Sequence, residues 1–308
     1  MSQRVSKVQN KTMMGASVSK SNLRRGKIET ASKDEIESQV WGESMCFTSY
    51  GVRVGIRVNR EGVLEGILPH LPPGWKRSRS LNVDRMYSFV IGAKGQVGTI
   101  RRLNLVYADE SQIASTPKLH QAADAFESDL QLFVAETAPR RVFVHAGVVA
   151  LRGRAIVIPG RSFSGKTSLV AALVKAGATY YSDEYAVLDE RGRVHHYARP
   201  LSIRQNGHLK KPKKYQVEKL GGRSGVKPLP VGMVVVSKYE PGARWRPRKL
   251  SEGEGALELM ANTVSARRQP EAMLEAIRGV VSLAPVLKGT RGEARQVVDF
   301  IFERFARS

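Results

Sequence analysis

Residues 155–178 read AIVIPGRSFSGKTSLVAALVKAGA. An apolar run enters a glycine-rich turn, and apolar residues at helical spacing follow it, so the stretch reads as strand, loop and helix. Gly160-Arg161-Ser162-Phe163-Ser164-Gly165-Lys166-Thr167 matches G-x-x-x-x-G-K-[ST] in full. Each fixed position has a physical reason. The glycines let the backbone curl so that successive N–H groups point at phosphate oxygens. The start of the following helix adds positive dipole there. Lys166 is expected to reach the β- and γ-phosphates and Thr167 to ligate Mg²⁺. A chance match in a chain this long is on the order of 1%. The eight residues 160–167 are therefore taken as an ATP-binding loop, the alternative being a glycine-rich turn with a surface lysine.

Working outward, Asp183 and Glu184 follow Lys166 by 17 and 18 residues, with one helix and one strand between. The pair can thus return to the mouth of the loop. Neighbours on a strand face opposite sides, so both acids reach one site only if the strand ends there. One carboxylate could then hold Mg²⁺ while the other accepts a proton from an attacking hydroxyl. The bland alternative is a strand-end turn with solvated acids. His145 lies 15 residues before Gly160, in an apolar strand; taken alone, such a histidine is a satisfied core residue more often than a catalyst. His195 and His196 are adjacent in a strand, point apart and make no shared metal site.

Residues 1–40 are polar and basic, without sustained periodicity, and read as a flexible tail, with a short helix allowed near DEIESQV. Residues 41–140 read as a small β-rich lobe: strands in SYGVRVGIRVN, RMYSFVIG and TIRRLNLVYAD, then a helix over 118–138. From 141 the pattern is a hairpin around RGR, the loop and its helix, then strands in TYYSDEYAVLDERGRVHHYA and PLPVGMVVVSKYEPG. Helices are expected in EGEGALELMANTVSARR, PEAMLEAIRGVVSLA and EARQVVDFIFERFA. The segment LKKPKKYQVEKLGGRSGVK (209–227) carries seven Lys or Arg and reads as a cationic loop, either a solvated one or one that draws an acidic peptide, nucleotide phosphates or, with Tyr215 as a stacking partner, nucleic acid. Arg267 and Arg268 fit either a phosphate contact or a helix-end surface.

The chain has 308 residues, 50 Lys plus Arg against 28 Asp plus Glu, and a net charge of +22. Such a field attracts polyanions without choosing among nucleotides, acidic peptides and nucleic acid. The single cysteine, Cys46, excludes an internal disulfide. No apolar run has the length of a membrane span, and the N-terminus lacks the apolar segment of a signal peptide, so a soluble cytoplasmic protein is expected.

The segment VHAGVVALRGRAIVIPGRSFSGKTSLVAALVKAGATYYSDEYAVLD (144–189) resembles the catalytic domain of HPr kinase/phosphorylase and related P-loop kinases. His145, Gly160, Lys166, Thr167, Asp183 and Glu184 fall on that family's motif positions. The resemblance is strong over about 142–205 and pattern-like elsewhere. It implies an α/β fold, a P-loop catalytic domain at 141–308 with a mixed sheet around a central helix. It also implies ATP and Mg²⁺ as cofactors, Asp183 as the acid/base at a serine hydroxyl, His145 close by, and Thr167 with Asp183 or Glu184 at the metal. The chain departs from the family at Ala146 after the histidine and at Glu184 in place of a second Asp. YARPLSIRQNG, with Arg199 and Arg204, replaces a Glu-Val-Arg-Gly-type segment. The resulting expectation is a kinase acting on a Ser or Thr hydroxyl of a protein or peptide, with homo-oligomers as in such kinases. A nucleic-acid-associated NTPase and a small-molecule kinase are the alternatives.

Overall fold

The computed structural model describes residues 40–94, 102–160, 164–203 and 213–307. The expected tail, Arg161, Ser162, Phe163, Arg204 and the first residues of the basic segment lie outside the described residues.

Strands β1 (Glu43–Ser49) and β2 (Val52–Val58) are joined by Tyr50 and Gly51, with φ of 50° and 89°. Two successive positive φ values make the turn whose twist suits a tight hairpin. It splits what alternation alone reads as one strand through SYGVRVGIRVN. There follow α1 (Val63–Ile67), a 3₁₀ turn at Leu68–His70, β3 (Lys76–Ser78), β4 (Arg85–Lys94), β5 (Arg102–Ala108) and β6 (Ser111–Thr116). The six strands form one sheet in the order β3-β1-β2-β4-β5-β6, with β2 and β4 parallel. The polar SQIAST gives no strand signal; as an edge strand, half exposed, it needs none. Helix α2 (Leu119–Thr137) falls where its periodicity predicts and buries Ala122, Phe126, Leu130 and Val134 against this sheet.

The second half opens with β7 (Val142–Leu151) and β8 (Arg154–Pro159), again joined by a tight turn, with φ of 48° at Arg152 and 76° at Gly153. Then come α3 (Lys166–Lys175), β9 (Thr179–Ser182), β10 (Tyr185–Leu188), β11 (Val194–His195), β12 (Leu201–Ile203), β13 (Lys213–Tyr215) and β14 (Val231–Tyr239). The chain ends with β15 (Arg248–Lys249), α4 (Glu252–Met260), α5 (Pro270–Val281), β16 (Val286–Arg291) and α6 (Arg295–Ala306). The sheet runs β11-β10-β7-β8-β14-β16-β15, with β9 also on β7. Its centre, β8-β14-β16, is parallel and its flanks antiparallel, so the sheet is mixed.

One face carries α3 and α6 on Val149, Ile156, Ile158, Met233 and Val235. The other carries α4 and α5 on Val144, Val148, Val157 and Val234. Leu201 of the β12–β13 ribbon packs into the same cluster as α3, so this helix is central, enclosed between sheet, α6 and ribbon. The core of the first sheet does not stop at the first lobe: Phe143, Tyr185, Val187 and Tyr197 belong to it.

Two expectations need correction. The basic segment is not wholly loop, because Lys213–Tyr215 pairs with Leu201–Ile203 and a 3₁₀ turn spans Val217–Leu220. The helix expected through Arg268 ends at Met260. Asn262 and Val264 are drawn off to pair with the start of β7, where the His145 N–H donates to the Asn262 carbonyl (2.7 Å) and the Val264 N–H to that of Phe143 (2.9 Å).

Candidate functional site

Strand β8 delivers Gly160 to the turn, and Gly165, with φ of 83°, turns the chain into α3. A β-carbon at Gly160 would come within 2.7 Å of Ser164 Oγ, so Ser164 would have to shift, and Gly165, with its positive φ and an Arg291 Nη2 within 2.6 Å of a β-carbon, disfavours any larger residue. Lys166 Nζ donates to the Gly160 carbonyl at 2.6 Å, folding back over the loop. Ser164 Oγ is buried and has no hydrogen-bond partner among the described residues. Below the turn lies Arg291, 1% exposed, which donates to the carbonyls of Gly165 (2.7 Å) and Gly292 (3.0 Å) and to Ser237 Oγ (3.4 Å). Burial depresses its pKa, and none of these three direct partners is a carboxylate.

The acids come from a break in the edge of the sheet. Strands β9 and β10 both pair antiparallel with β7, Ser182 opposite Val148 and Tyr185 opposite His145, and Asp183–Glu184 is the interruption between them. Ser182 Oγ makes the break by accepting from the N–H groups of Glu184 (3.2 Å) and Tyr185 (3.0 Å), a local side-chain turn. The Ala146 N–H still donates to the Glu184 carbonyl (3.1 Å), so the backbone stays pinned while the side chains escape strict alternation. As a result, both carboxylates act electrostatically on the same Lys166 ammonium.

Asp183 is 8% exposed, its carboxylate takes a hydrogen bond from Thr167, and its Oδ1 is buried with no partner among the described residues. Burial pushes its pKa up to about 7, against the opposing pull of Thr167 and Lys166. Glu184 and His145 are exposed as whole residues, and the surrounding protein desolvates the titrating end of each only in part. Partial desolvation raises the pKa of Glu184, and partial desolvation together with Lys166 lowers that of His145. The ring lies against Tyr185, centroids 4.9 Å apart. Burial also lowers the Lys166 pKa, while Asp183 and Glu184 pull it back up. An orphaned carboxylate oxygen beside a threonine hydroxyl and a lysine suits a hard cation carrying phosphate oxygens. Lys166, Thr167, Asp183, Glu184 and His145 are thus brought to one cleft.

Sequence reasoning missed residues from the first lobe. Helix α2 points Glu127 and Gln131, one turn apart, into this cleft. With its amide oriented to meet complementary partners, Gln131 donates from Nε2 to Glu184 Oε2 (2.8 Å) and accepts from Arg199 Nη1 (2.5 Å). Arg199 Nη2 pairs with Glu127, which also meets His70 Nδ1 (2.5 Å) and Lys214 Nζ (3.5 Å). Burial works against the Glu127 carboxylate, but these partners hold its pKa below the usual range. His70, Asp124 and Glu127 place ligating atoms within 4.8 Å of one another, but Glu127 is already satisfied by cations. A signal for Glu127 and Gln131 existed: two polar residues on the apolar stripe of an otherwise regular helix.

The remaining candidates take other places. His195 Nε2 meets Asp189 Oδ2 at 3.1 Å, and the His196 carbonyl accepts from Tyr50 Oη at 2.7 Å; both are tied into the fold. Arg268 pairs with Glu136 at 3.4 Å on the surface. No helix of the described residues is long and apolar enough to cross a membrane.

No protein-family model and no curated protein matches the chain. Among solved structures, the HPr(Ser) kinase/phosphatase from Coxiella burnetii aligns at 13% identity and a TM-score of 0.30. The alignment covers 54% of this chain and 93% of that one.

Proposed function

We propose that the chain is an ATP- and Mg²⁺-dependent kinase that phosphorylates a Ser or Thr hydroxyl of a protein or peptide. The observation that carries this reading is Asp183: a buried carboxyl with a partnerless oxygen, next to the lysine and threonine that open the loop helix. A buried acid in that position has two uses in phosphoryl transfer, anchoring a cation and taking a proton, and a pKa near the working pH serves the second.

Mg²⁺-ATP, when bound, supplies the transferable phosphoryl group and the charge that draws carboxylates to it. By the sequence motif, residues 160–167, Arg161, Ser162, Phe163 and Ser164 among them, would hold the phosphates together with the α3 N-terminus. Lys166 leaves the Gly160 carbonyl and neutralises phosphate oxygens. Thr167 and Glu184 would hold the metal, with the Asp183 carboxylate hydrogen-bonded to Thr167 beside it. Asp183 Oδ1 would take the acceptor hydroxyl proton as that oxygen bonds to the γ-phosphorus and the bond from the γ-phosphorus to the β-phosphate oxygen breaks, leaving ADP with its phosphates against Lys166. His145 would orient the acceptor hydroxyl by hydrogen bonding. The +22 charge favours an acidic acceptor segment.

The test uses labelled ATP and candidate acceptor polypeptides, with phosphosites read by mass spectrometry. Asp183→Asn is expected to lower transfer by about 10²–10⁴-fold while equilibrium ATP binding survives. Transfer at the wild-type rate in that variant overturns the assignment. Added polynucleotide is the control arm: hydrolysis that it stimulates, without any acceptor modified, favours the nucleic-acid NTPase instead.

A further inference from the structure

We propose that Gln131, carried by the helix of the first lobe, is a positioning residue that fixes the Glu184 carboxylate for the metal, and that the Arg199–Glu127 ion pair clamps Gln131 in turn. This rests on the reading of Glu184 as a metal ligand.

A primary amide 8% exposed on an apolar helix face costs stability unless both of its ends are satisfied. Here each end meets a charged group of fixed sign. In the orientation that satisfies both ends, Nε2 donates to Glu184 Oε2 (2.8 Å) and the oxygen accepts from Arg199 Nη1 (2.5 Å), whereas the turned-over amide keeps one long bond, Nε2 to Glu127 Oε1 at 3.4 Å, and gives up both of these. Arg199 is itself held by Glu127, and Glu127 by His70 at 2.5 Å. The side-chain relay His70–Glu127–Arg199–Gln131–Glu184 therefore runs from the first lobe to the acid pair. It occupies one oxygen of Glu184 with a neutral donor, which orients the carboxylate without cancelling its charge. A direct ion pair from Arg199 would orient it but would neutralise it. An amide interposed between guanidinium and carboxylate separates these two effects, and partners of this kind behind a ligand tune metal affinity.

The experiment titrates Mg²⁺ into the full chain with a fluorescent ATP analogue, in wild type, Gln131→Leu, Gln131→Glu and Glu184→Gln. Gln131→Leu removes both hydrogen bonds at similar volume. Gln131→Glu keeps the Arg199 partner and replaces the donor to Glu184 by an acceptor, which covers the case in which the leucine variant does not fold. Either is expected to raise the Mg²⁺ midpoint by about tenfold, while binding of the analogue in EDTA stays within about twofold. In the Glu184→Gln background the Gln131 change is expected to add little, because the carboxylate it positions is gone. An unchanged Mg²⁺ midpoint in a folded Gln131 variant overturns the proposal, as does a shift of full size in the Glu184→Gln background. Nucleotide binding by the wild type with no Mg²⁺ dependence sinks the kinase reading itself, and the proposal with it.

Discussion

At the scale of single residues, Asp183 makes a prediction independent of catalysis. Its carboxyl has a raised pKa, so between the ordinary value of 3.8 and about 7 the folded protein keeps a proton that the unfolded chain has released. Stability linked to this group is therefore present below pH 4 and is lost as pH rises through about 7. Asp183→Asn removes the ionisation. In urea melts without nucleotide or Mg²⁺ it should be more stable than wild type at pH 8 by about 1–4 kcal/mol, with a much smaller difference at pH 4.5. An equal difference at the two pH values rules out the ionisation of a buried acid. The residues behind this prediction were legible in different degrees. Lys166 and Thr167 are fixed by a local pattern, since the chemistry of the turn is written in consecutive residues. Asp183 and Glu184 could be found as a pair, but that both face one cleft depends on Ser182 Oγ capturing two backbone N–H groups. Arg291 left no mark in the sequence, because it reaches the loop from a strand 126 residues beyond Gly165, and Gln131 showed only as a polar residue on an apolar helix stripe, with nothing to say which site it faced.

At the scale of elements, the site depends on how closely β7 approaches α3. Gly147 faces the helix, and a β-carbon there would sit 2.4 Å from Val170 Cγ2. Gly147→Ala should force the helix and its loop away from the acid pair and cost about 1–3 kcal/mol. Val170→Ala in the same chain should recover part of that loss, a rescue that urea midpoints of the two single and the double variants would read. A single variant as stable as wild type would mean the helix moves freely on the strand. The elements themselves were legible where periodicity was strong: α2, the hairpin of β7 and β8, and the strand–loop–helix around Gly160. They were lost where tertiary pairing overrode local preference. The α4 helix begins at a Ser251–Glu254 capping box that the sequence carries, yet it ends early because the backbone of Asn262–Val264 is taken by β7. The short strands β12, β13 and β15 have two or three residues each, too few to show any period.

At the scale of the whole molecule, the boundary near residue 140 separates two sheets but not two cores. A fragment of residues 141–308 would leave Phe143, Tyr185, Val187 and Tyr197 without the packing that Phe47, Ile56, Phe126 and Leu130 give them. It is expected to show secondary structure in far-UV circular dichroism but weak near-UV signal and dye-accessible apolar surface, the signs of lost side-chain packing. A fragment with native near-UV signal and a cooperative melt would mean the second sheet folds alone. The shared core also has a mechanical side. Two lobes that merely touch can swing apart like jaws to admit a bulky acceptor, but here Tyr50, Phe143, Tyr185 and Tyr197 interlock across the junction, with ring centroids 5.3–6.0 Å apart. The lobes are welded rather than hinged. If the cleft serves the kinase proposed above, separating the lobes would break these ring contacts, and the acceptor hydroxyl would have to arrive on a segment slender enough to enter without that opening.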